Sequence, residues 1–120
     1  MIRKVAFTMY PVSNMPRARA FYEGALGLSS GWPETSPWVE YDLPEGGCLA
    51  ITTVTAEAPS ASAGGTIAFE VADLDALVAG LKSREVTLVG DLVKGPHCRM
   101  MVCLDPDGNS IVLHQLDPKQ

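Results

Sequence analysis

The hydrophobic positions along this chain repeat one order of elements in its two halves. An apolar triplet, Val5-Ala6-Phe7, returns as Ile67-Ala68-Phe69, and apolar residues at helical spacing follow each triplet. The two helical stripes consist of Met15, Ala18, Phe21, Tyr22, Ala25 and Leu26, and of Leu74, Leu77, Val78 and Leu81. Ser13 or Asn14 is suited to cap the first helix and Asp73 the second, because such side chains accept hydrogen bonds from N–H groups of the first turn. The pattern therefore predicts one strand and one helix in each half.

Further strands follow each helix. The predicted strands cover residues 28–32, 38–42 and 48–54 in the first half and 86–93, 98–104 and 110–115 in the second. Between the last two lies Asp105-Pro106-Asp107-Gly108-Asn109, a tight-turn sequence in which the proline presets φ and the glycine accepts a positive φ. We therefore predict one α+β domain over residues 1–120. It is built from two βαβββ modules, at 1–54 and 66–120, that a linker of small residues at 55–65 connects.

Composition and charge narrow the class of protein. The 120 residues are 47% hydrophobic and 19% charged, as in one globular domain, and the net charge of −5 argues against a nucleic-acid partner. Cys48, Cys98 and Cys103 predict no disulfide framework, because their number is odd and their spacing irregular. No apolar run approaches a membrane span and the N-terminal residues form no signal-peptide pattern. We therefore expect no membrane partner and a cytoplasmic location.

Taken together, these segments resemble the vicinal oxygen chelate superfamily, which includes glyoxalase I, bleomycin-resistance proteins and extradiol dioxygenases. The residues that carry the resemblance are Val5-Ala6-Phe7, Arg19-Ala20-Phe21-Tyr22 with Leu26-Gly27-Leu28, Ile67-Ala68-Phe69-Glu70-Val71 with Asp73-Leu74-Asp75, and the 105–109 turn with Ile111 and Leu113. The resemblance implies that the two modules form mixed sheets that curl into a cup. It also implies that the cup holds a small-molecule ligand and that homodimers are common.

The resemblance further implies four positions for side chains that hold a divalent metal. In the enzymes of the superfamily these are His, Glu or Gln; here they fall on Lys4, Thr66, Val112 and the segment 49–51. A charged lysine has no lone pair and a valine has no donor atom. We therefore predict no metal site and no cofactor, while a divalent metal held by other residues stays open as an alternative.

Glu70 and His114 are the candidate catalytic residues. Residues two apart in a strand share a face, so Glu70 shares one with Thr66, and His114 shares one with Val112. On that basis Glu70 and His114 face the cup, where they can serve as acid and base or as a displaced metal pair. A histidine that is merely exposed or hydrogen-bonded at a strand end is the more common case.

The candidate ligand-binding residues are Lys4, Tyr10, Trp38, Thr66 and Arg99. Arg99 interrupts an apolar strand and can clamp a carboxylate or phosphate, or form a salt bridge with a neighbour. Trp38 is a candidate stacking wall for a planar ligand, or part of the core or of a dimer interface.

These features lead to one functional hypothesis with two alternatives. The first is a small-molecule binding protein of the glyoxalase/bleomycin-resistance type, without the usual metal site and with a homodimer as the expected assembly. The second is a metal-dependent lyase, isomerase or dioxygenase of the same superfamily, and the third is a non-catalytic dimeric scaffold. Whether the protein is an enzyme stays open at this point.

Overall fold

The computed structural model describes residues 1, 3, 5–55, 57–61 and 66–118. Lys4 and parts of the predicted 55–65 linker lie outside the described residues. The chain divides into two compact units, unit one from Met1 to Pro59 and unit two from Ser60 to Gln120. Each unit has its own mixed sheet and its own helical segment, so the architecture is α+β as the sequence predicts.

Unit one is a three-stranded sheet with one helical segment. Its elements are β1 (Thr8–Pro11), α1 (Met15–Arg19), which continues as a π-helix over Ala20–Ala25, β2 (Trp38–Asp42) and β3 (Cys48–Thr52). The strand order is β1-β3-β2, with β1 parallel and β2 antiparallel to β3. Pro11, which has no N–H to donate, is tolerated because β1 is an edge strand.

The helical segment of unit one begins and ends as its sequence indicates. Asn14 provides the cap, since its Oδ1 accepts a hydrogen bond of 2.9 Å from the backbone N–H of Arg17. The last turn is widened to the π spacing, where Leu26 N–H donates to the carbonyl of Phe21 at 3.0 Å. The chain leaves the helix at Gly27, whose φ of +76° favours glycine.

A polar network joins this helical segment to the sheet. The buried hydroxyl of Tyr41 donates to Glu23 Oε2 at 2.9 Å, and Arg19 Nε donates to the same oxygen at 2.6 Å. Burial and the Glu23 carboxylate raise the pKa of Tyr41, so its hydroxyl remains a donor. Arg19 also donates to the carbonyls of Trp32 and Pro33, which fixes the loop before β2.

Unit two is a four-stranded sheet with one helix. Its elements are β4 (Ile67–Glu70), α2 (Leu74–Ser83), β5 (Leu88–Lys94), β6 (Cys98–Leu104) and β7 (Ser110–Leu116). The strand order is β4-β7-β6-β5, in which β4 is parallel to β7 and the other pairs are antiparallel. Asp73 caps α2, as predicted, by accepting from Ala76 N–H at 3.0 Å.

Strand β5 is irregular in its middle. Its pairing with β6 shifts register between Val89 and Val93, and Gly90 in this stretch has a φ of +70°. Such a β-bulge leaves residues unpaired and increases the local twist. The two ends of β5 nevertheless pair with β6.

Two expectations for the first half of the chain are wrong. Residues 28–32 form no strand, and Val5-Ala6-Phe7 precede β1 instead of forming it. Val5 is 78% exposed and Phe7 44% exposed, whereas Tyr10 is 8% exposed, so the buried positions of β1 lie later in the chain. The register is fixed by the pairing of β1 with β3, which the apolar triplet alone does not determine.

The structural repeat therefore has a different spacing from the sequence repeat. The caps Asn14 and Asp73 lie 59 residues apart, as do the first strand residues Thr8 and Ile67. With this spacing, the residue of unit one that corresponds to Thr66 is Phe7 and not Lys4.

The 105–109 turn joins β6 to β7 as predicted. The Asp105 carboxylate is buried and accepts three hydrogen bonds, from Asp107 N–H (2.9 Å), Asn109 N–H (2.9 Å) and Asn109 Nδ2 (2.8 Å). Gly108, with a φ of +88°, donates its N–H to the Asp105 carbonyl at 3.0 Å. One carboxylate thus accepts from both Asp107 and Asn109 and holds the turn closed.

Replacement of this carboxylate should destabilise the fold. We expect Asp105→Ala to lower the free energy of unfolding by about 2–4 kcal/mol, because it leaves buried N–H donors without an acceptor. Urea denaturation followed by circular dichroism measures the change. Asp117→Ala is the matched control, since Asp117 is exposed, and should change the free energy by less than about 0.5 kcal/mol. Equal effects of the two variants would contradict the role of the turn.

Candidate functional site

The two faces of the unit-two sheet differ in what covers them. Helix α2 packs on the face of Ile111 and Leu113, where its first N–H group, that of Leu74, donates to Gln115 Oε1 at 2.8 Å. On the other face, no helix of this unit packs on the sheet within the described residues. We call this second face the open face. Strand alternation and cross-strand pairing place these side chains on it: Glu70, Val93, Met100, Val102, Val112 and His114.

Glu70 and His114 form a hydrogen-bonded pair on the open face. The two residues are direct partners in the parallel pairing of β4 with β7. His114 Nδ1 lies 2.6 Å from Glu70 Oε1, and the backbone N–H of Leu116 donates to Glu70 Oε2 at 2.8 Å. Both oxygens of the carboxylate are therefore engaged, and the imidazole ring is held from one side.

The electrostatics of the pair favour an ionised carboxylate. The hydrogen bond from Leu116 N–H, followed by that from His114, holds the pKa of Glu70 below its ordinary value. The Glu70 side chain is 52% exposed and that of His114 26%, so both are accessible to a ligand. The pair is thus a charged anchor at the surface of the sheet.

Apolar side chains of β7, β6 and β5 lie on the same face as this anchor. Met100 pairs directly with His114 across β6 and β7, and Val102 pairs with Val112. Val89 and Val93 of β5 face the same way and are 46% and 55% exposed. Adjacent exposed apolar side chains on one sheet face are typical of binding surfaces.

The structure brings some of the predicted site residues together and separates others. Thr66 Oγ1 lies 3.0 Å from Ser110 Oγ, at the beginning of the strand that bears Glu70. Arg99 lies on the helix-covered face instead, where it contacts Asp75 at 3.2 Å and Gln115 Oε1 at 3.0 Å. Thr66 therefore lies at the opposite end of the β4–β7 pair from Glu70 and His114, and Arg99 does not line the open face.

The candidates of unit one also lie on different faces of their sheet. Tyr10 is buried on the face that packs against the helical segment, next to Ile51. Trp38 is on the opposite face, where its Nε1 donates to Glu40 Oε2 at 2.8 Å and its ring meets Phe7 edge-on at 5.4 Å. Glu40 was not among the sequence candidates, although its alternation with Trp38 in β2 indicates a shared face.

A cavity lies beside this unit-one cluster. Its volume is about 290 Å³, and its lining includes Ser30, Trp32, Glu40 and Asp42. Two wider clefts lie on the helix sides of the units, where Asp75 and Glu23 are among the lining residues. Both of these carboxylates are already paired, with Arg99 and with Arg19.

Cys48 is held as a neutral thiol beside Glu40. Its Sγ lies 3.6 Å from Glu40 Oε1, and the three cysteines of the chain are free thiols. Burial, followed by the neighbouring Glu40 carboxylate, raises the pKa of Cys48 to about 11. Burial also raises the pKa of Cys103, to about 12.

The residues present do not fit the divalent metal that the superfamily's enzymes share. The positions that the resemblance assigns to metal ligands carry Thr66, Val112 and, with the corrected repeat, Phe7. Glu70 and His114 contact each other instead of converging on a common point. Across the part of the chain that the structure describes, no three His, Cys, Asp or Glu side chains are grouped so that they could hold a metal ion.

Comparison with known families identifies the class of protein. The chain belongs to the glyoxalase/bleomycin resistance protein/dioxygenase superfamily, whose family model matches residues 4–113. The resemblance inferred from the motifs is therefore confirmed. A comparison with curated protein sequences gave no match. Among the described residues, no helix has both the length and the apolar character needed to cross a membrane.

Solved structures share the fold over nearly the whole chain. TnmS3, an antibiotic binding protein from Streptomyces sp. CB03234, is 27% identical, with 97% of this chain and 98% of that chain covered and a TM-score of 0.79. A glyoxalase/dioxygenase from Nostoc punctiforme is 22% identical, with 98% and 92% covered and a TM-score of 0.79. The fosfomycin resistance protein FosX from Listeria monocytogenes is 16% identical, with 96% and 94% covered and a TM-score of 0.75.

Removal of the Glu40 charge should make Cys48 more reactive. Only the thiolate is alkylated, so a raised pKa keeps the reaction slow until the pH approaches the pKa. Glu40→Gln should accelerate alkylation of Cys48 by iodoacetamide about three- to tenfold at about pH 8.5, because the thiolate is no longer next to a carboxylate. Peptide mass spectrometry measures the rate at this cysteine.

The control for this experiment is Glu45→Gln in the exposed loop between β2 and β3. It removes the same charge at a distance from the thiol and should leave the rate unchanged. If Glu40→Gln and wild type react at the same rate, the carboxylate does not raise the pKa of Cys48.

Proposed function

We propose that this protein binds small apolar or aromatic molecules on the open face of the unit-two sheet, without the divalent metal of its superfamily. The observation that carries the proposal is the composition of that face. Apolar side chains of β5, β6 and β7, among them the half-exposed Val89 and Val93, share this face with one hydrogen-bonded polar pair. Small-molecule sites commonly combine a mainly apolar lining with a few polar groups that orient the ligand.

The similarity to TnmS3 supports this proposal. That structure is described as an antibiotic binding protein, and the similarity extends over 97% of this chain at 27% identity. An antibiotic binding protein thus has this fold over nearly its whole length. The homodimer and the cytoplasmic location remain expectations that accompany the proposal.

A metal-dependent activity is the alternative that the donor set does not favour. Catalytic zinc sites in proteins use three protein ligands around an open position. The open face offers Glu70 and His114, and the position expected to supply a further carboxylate is Val112. We therefore propose that Glu70 and His114 orient the ligand instead of holding a metal.

Metal analysis separates the two readings directly. We expect elemental analysis of protein purified without chelator or affinity tag to find substoichiometric metal. We also expect Mn²⁺, Ni²⁺, Zn²⁺ and Fe²⁺ to leave the melting temperature unchanged. A metal at about 100 times its dissociation constant would add about 2.7 kcal/mol of stability, which thermal denaturation detects readily. Near-stoichiometric metal, or a clear thermal shift, would contradict the metal-free proposal.

A charge placed on the open face should weaken apolar binding. We expect anilinonaphthalene sulfonate, an apolar fluorescent dye, to bind the wild type and to bind Val93→Asp about tenfold more weakly. The variant loses apolar contact worth about 1.5 kcal/mol and introduces a carboxylate. Fluorescence titration measures both dissociation constants, and circular dichroism verifies that the variant is folded.

Val54→Asp is the matched control for this substitution. Val54 is also an exposed valine, but it lies in unit one after the end of β3. The control should bind the dye as the wild type does. An equal loss in the two variants would show that the dye reports general surface properties, and the proposed location of the site would then be wrong.

A further inference from the structure

We infer that His114 Nε2 is a preoriented hydrogen-bond acceptor that selects ligands bearing a hydroxyl donor, such as phenols and enols. The inference rests on the proposed function, because it concerns the same open face and names the class of ligand. It follows from the contacts of one imidazole ring, which determine separately what each of its two nitrogens can do.

The contact with Glu70 determines that Nδ1 of His114 carries a proton. Glu70 accepts a hydrogen bond from Leu116 N–H through one oxygen, and its other oxygen lies 2.6 Å from His114 Nδ1. An ionised carboxylate can only accept, so the proton in the short contact belongs to Nδ1. In a neutral imidazole the second nitrogen then carries a lone pair and no proton.

Nε2 of His114 is accessible from the open face. Among the residues that the structure describes, no group forms a hydrogen bond with this nitrogen. The His114 side chain is 26% exposed, with Glu70 on the neighbouring strand at one side and Met100 at the other. A ligand on the open face can therefore reach Nε2 without displacing a protein partner.

The orientation of the acceptor Nε2 is fixed by the protein. Leu116 N–H fixes the carboxylate, and the carboxylate fixes the ring, so the orientation of Nε2 does not depend on the ligand. Apolar neighbours such as Met100 and Val112 lower the local polarity, which strengthens a hydrogen bond to the ring. Preorientation of this kind favours ligands that place a donor at Nε2 over ligands of the same shape without one.

A purely structural pair would explain the same contacts. A partly exposed pair of this kind contributes little to stability, and it would have no preference among ligands. A test must therefore measure ligand selection and the protonation of the ring, and not stability alone.

The binding test compares β-naphthol with its methyl ether, in which a methyl group replaces the hydroxyl proton and removes the donor. Calorimetric titration at about pH 8.5 measures both dissociation constants. We expect the wild type to bind β-naphthol about fivefold more tightly than the ether, as one neutral hydrogen bond predicts. In His114→Phe this preference for β-naphthol should be lost.

His97→Phe is the matched control, because His97 is the other histidine of the chain and is exposed in the loop between β5 and β6. It should keep the wild-type preference. Equal binding of the two ligands by the wild type would overturn this inference and leave the proposed function standing. If neither ligand binds to any variant, the proposed function fails together with the inference.

Nuclear magnetic resonance of the ring nitrogens provides an independent readout. With ¹⁵N-labelled protein, we expect His114 to show a protonated Nδ1 and an unprotonated Nε2. Glu70→Gln has one acceptor oxygen for two donors, so its amide should donate to Nδ1 in part of the molecules and move the proton to Nε2. The preference for β-naphthol should fall in parallel. A wild-type ring protonated at Nε2 alone would overturn the inference.

Discussion

The parallel pairing of the first strand with the last strand of each unit determines where everything else lies. Parallel neighbours cannot be joined by a hairpin, so the chain must cross the sheet before it returns to the same edge. In unit one this pair is β1 with β3, and in unit two it is β4 with β7. The crossing segments are the helices, and each unit has one helical segment to cover one face of its sheet. The open face, and the contact between Glu70 and His114 on it, are consequences of this pairing.

Several elements of the second half of the chain can be predicted from residues that are close to one another in sequence. The Asp73 cap, the helix it begins, strand β6 and the 105–109 turn follow from residues close to one another in sequence, and the structure contains all of them. The first strand was misplaced because an apolar triplet carries no information about its hydrogen-bond register. That register depends on β3, about 40 residues later in the chain. The location of the buried face therefore had to come from the structure.

The same distinction applies to the site. Alternation along single strands indicated that Glu70 and His114 face the same way as their strand neighbours, but their 2.6 Å contact requires the β4–β7 pairing. Arg99 has its partner Asp75 on α2, and no strand pattern reveals which side of a sheet a helix will cover. Strand alternation thus indicates which side chains share a face, and the strand pairing determines which of them are in contact.

On each of the two sheets a glutamate carboxylate forms a hydrogen bond with the nitrogen of an aromatic ring, but the two rings differ in what they can still bind. On the face of the unit-one sheet opposite its helical segment, Glu40 accepts a hydrogen bond from Trp38 Nε1. The indole ring has no second nitrogen that could bind a ligand. On the open face of unit two, Glu70 accepts from an imidazole, whose other nitrogen can still interact. The chemical capacity of each cluster therefore depends on the ring that the carboxylate holds.

The bulge in β5 limits how readily another chain can pair with this edge of the sheet at high protein concentration. An uninterrupted edge strand presents a row of unpaired N–H and C=O groups onto which another chain can add a strand, which is a route to fibrils. The register shift between Val89 and Val93, with Gly90 at a positive φ, breaks that row in the middle of the edge. The edge is consequently a poor template for intermolecular β-pairing, although two exposed valines lie beside it.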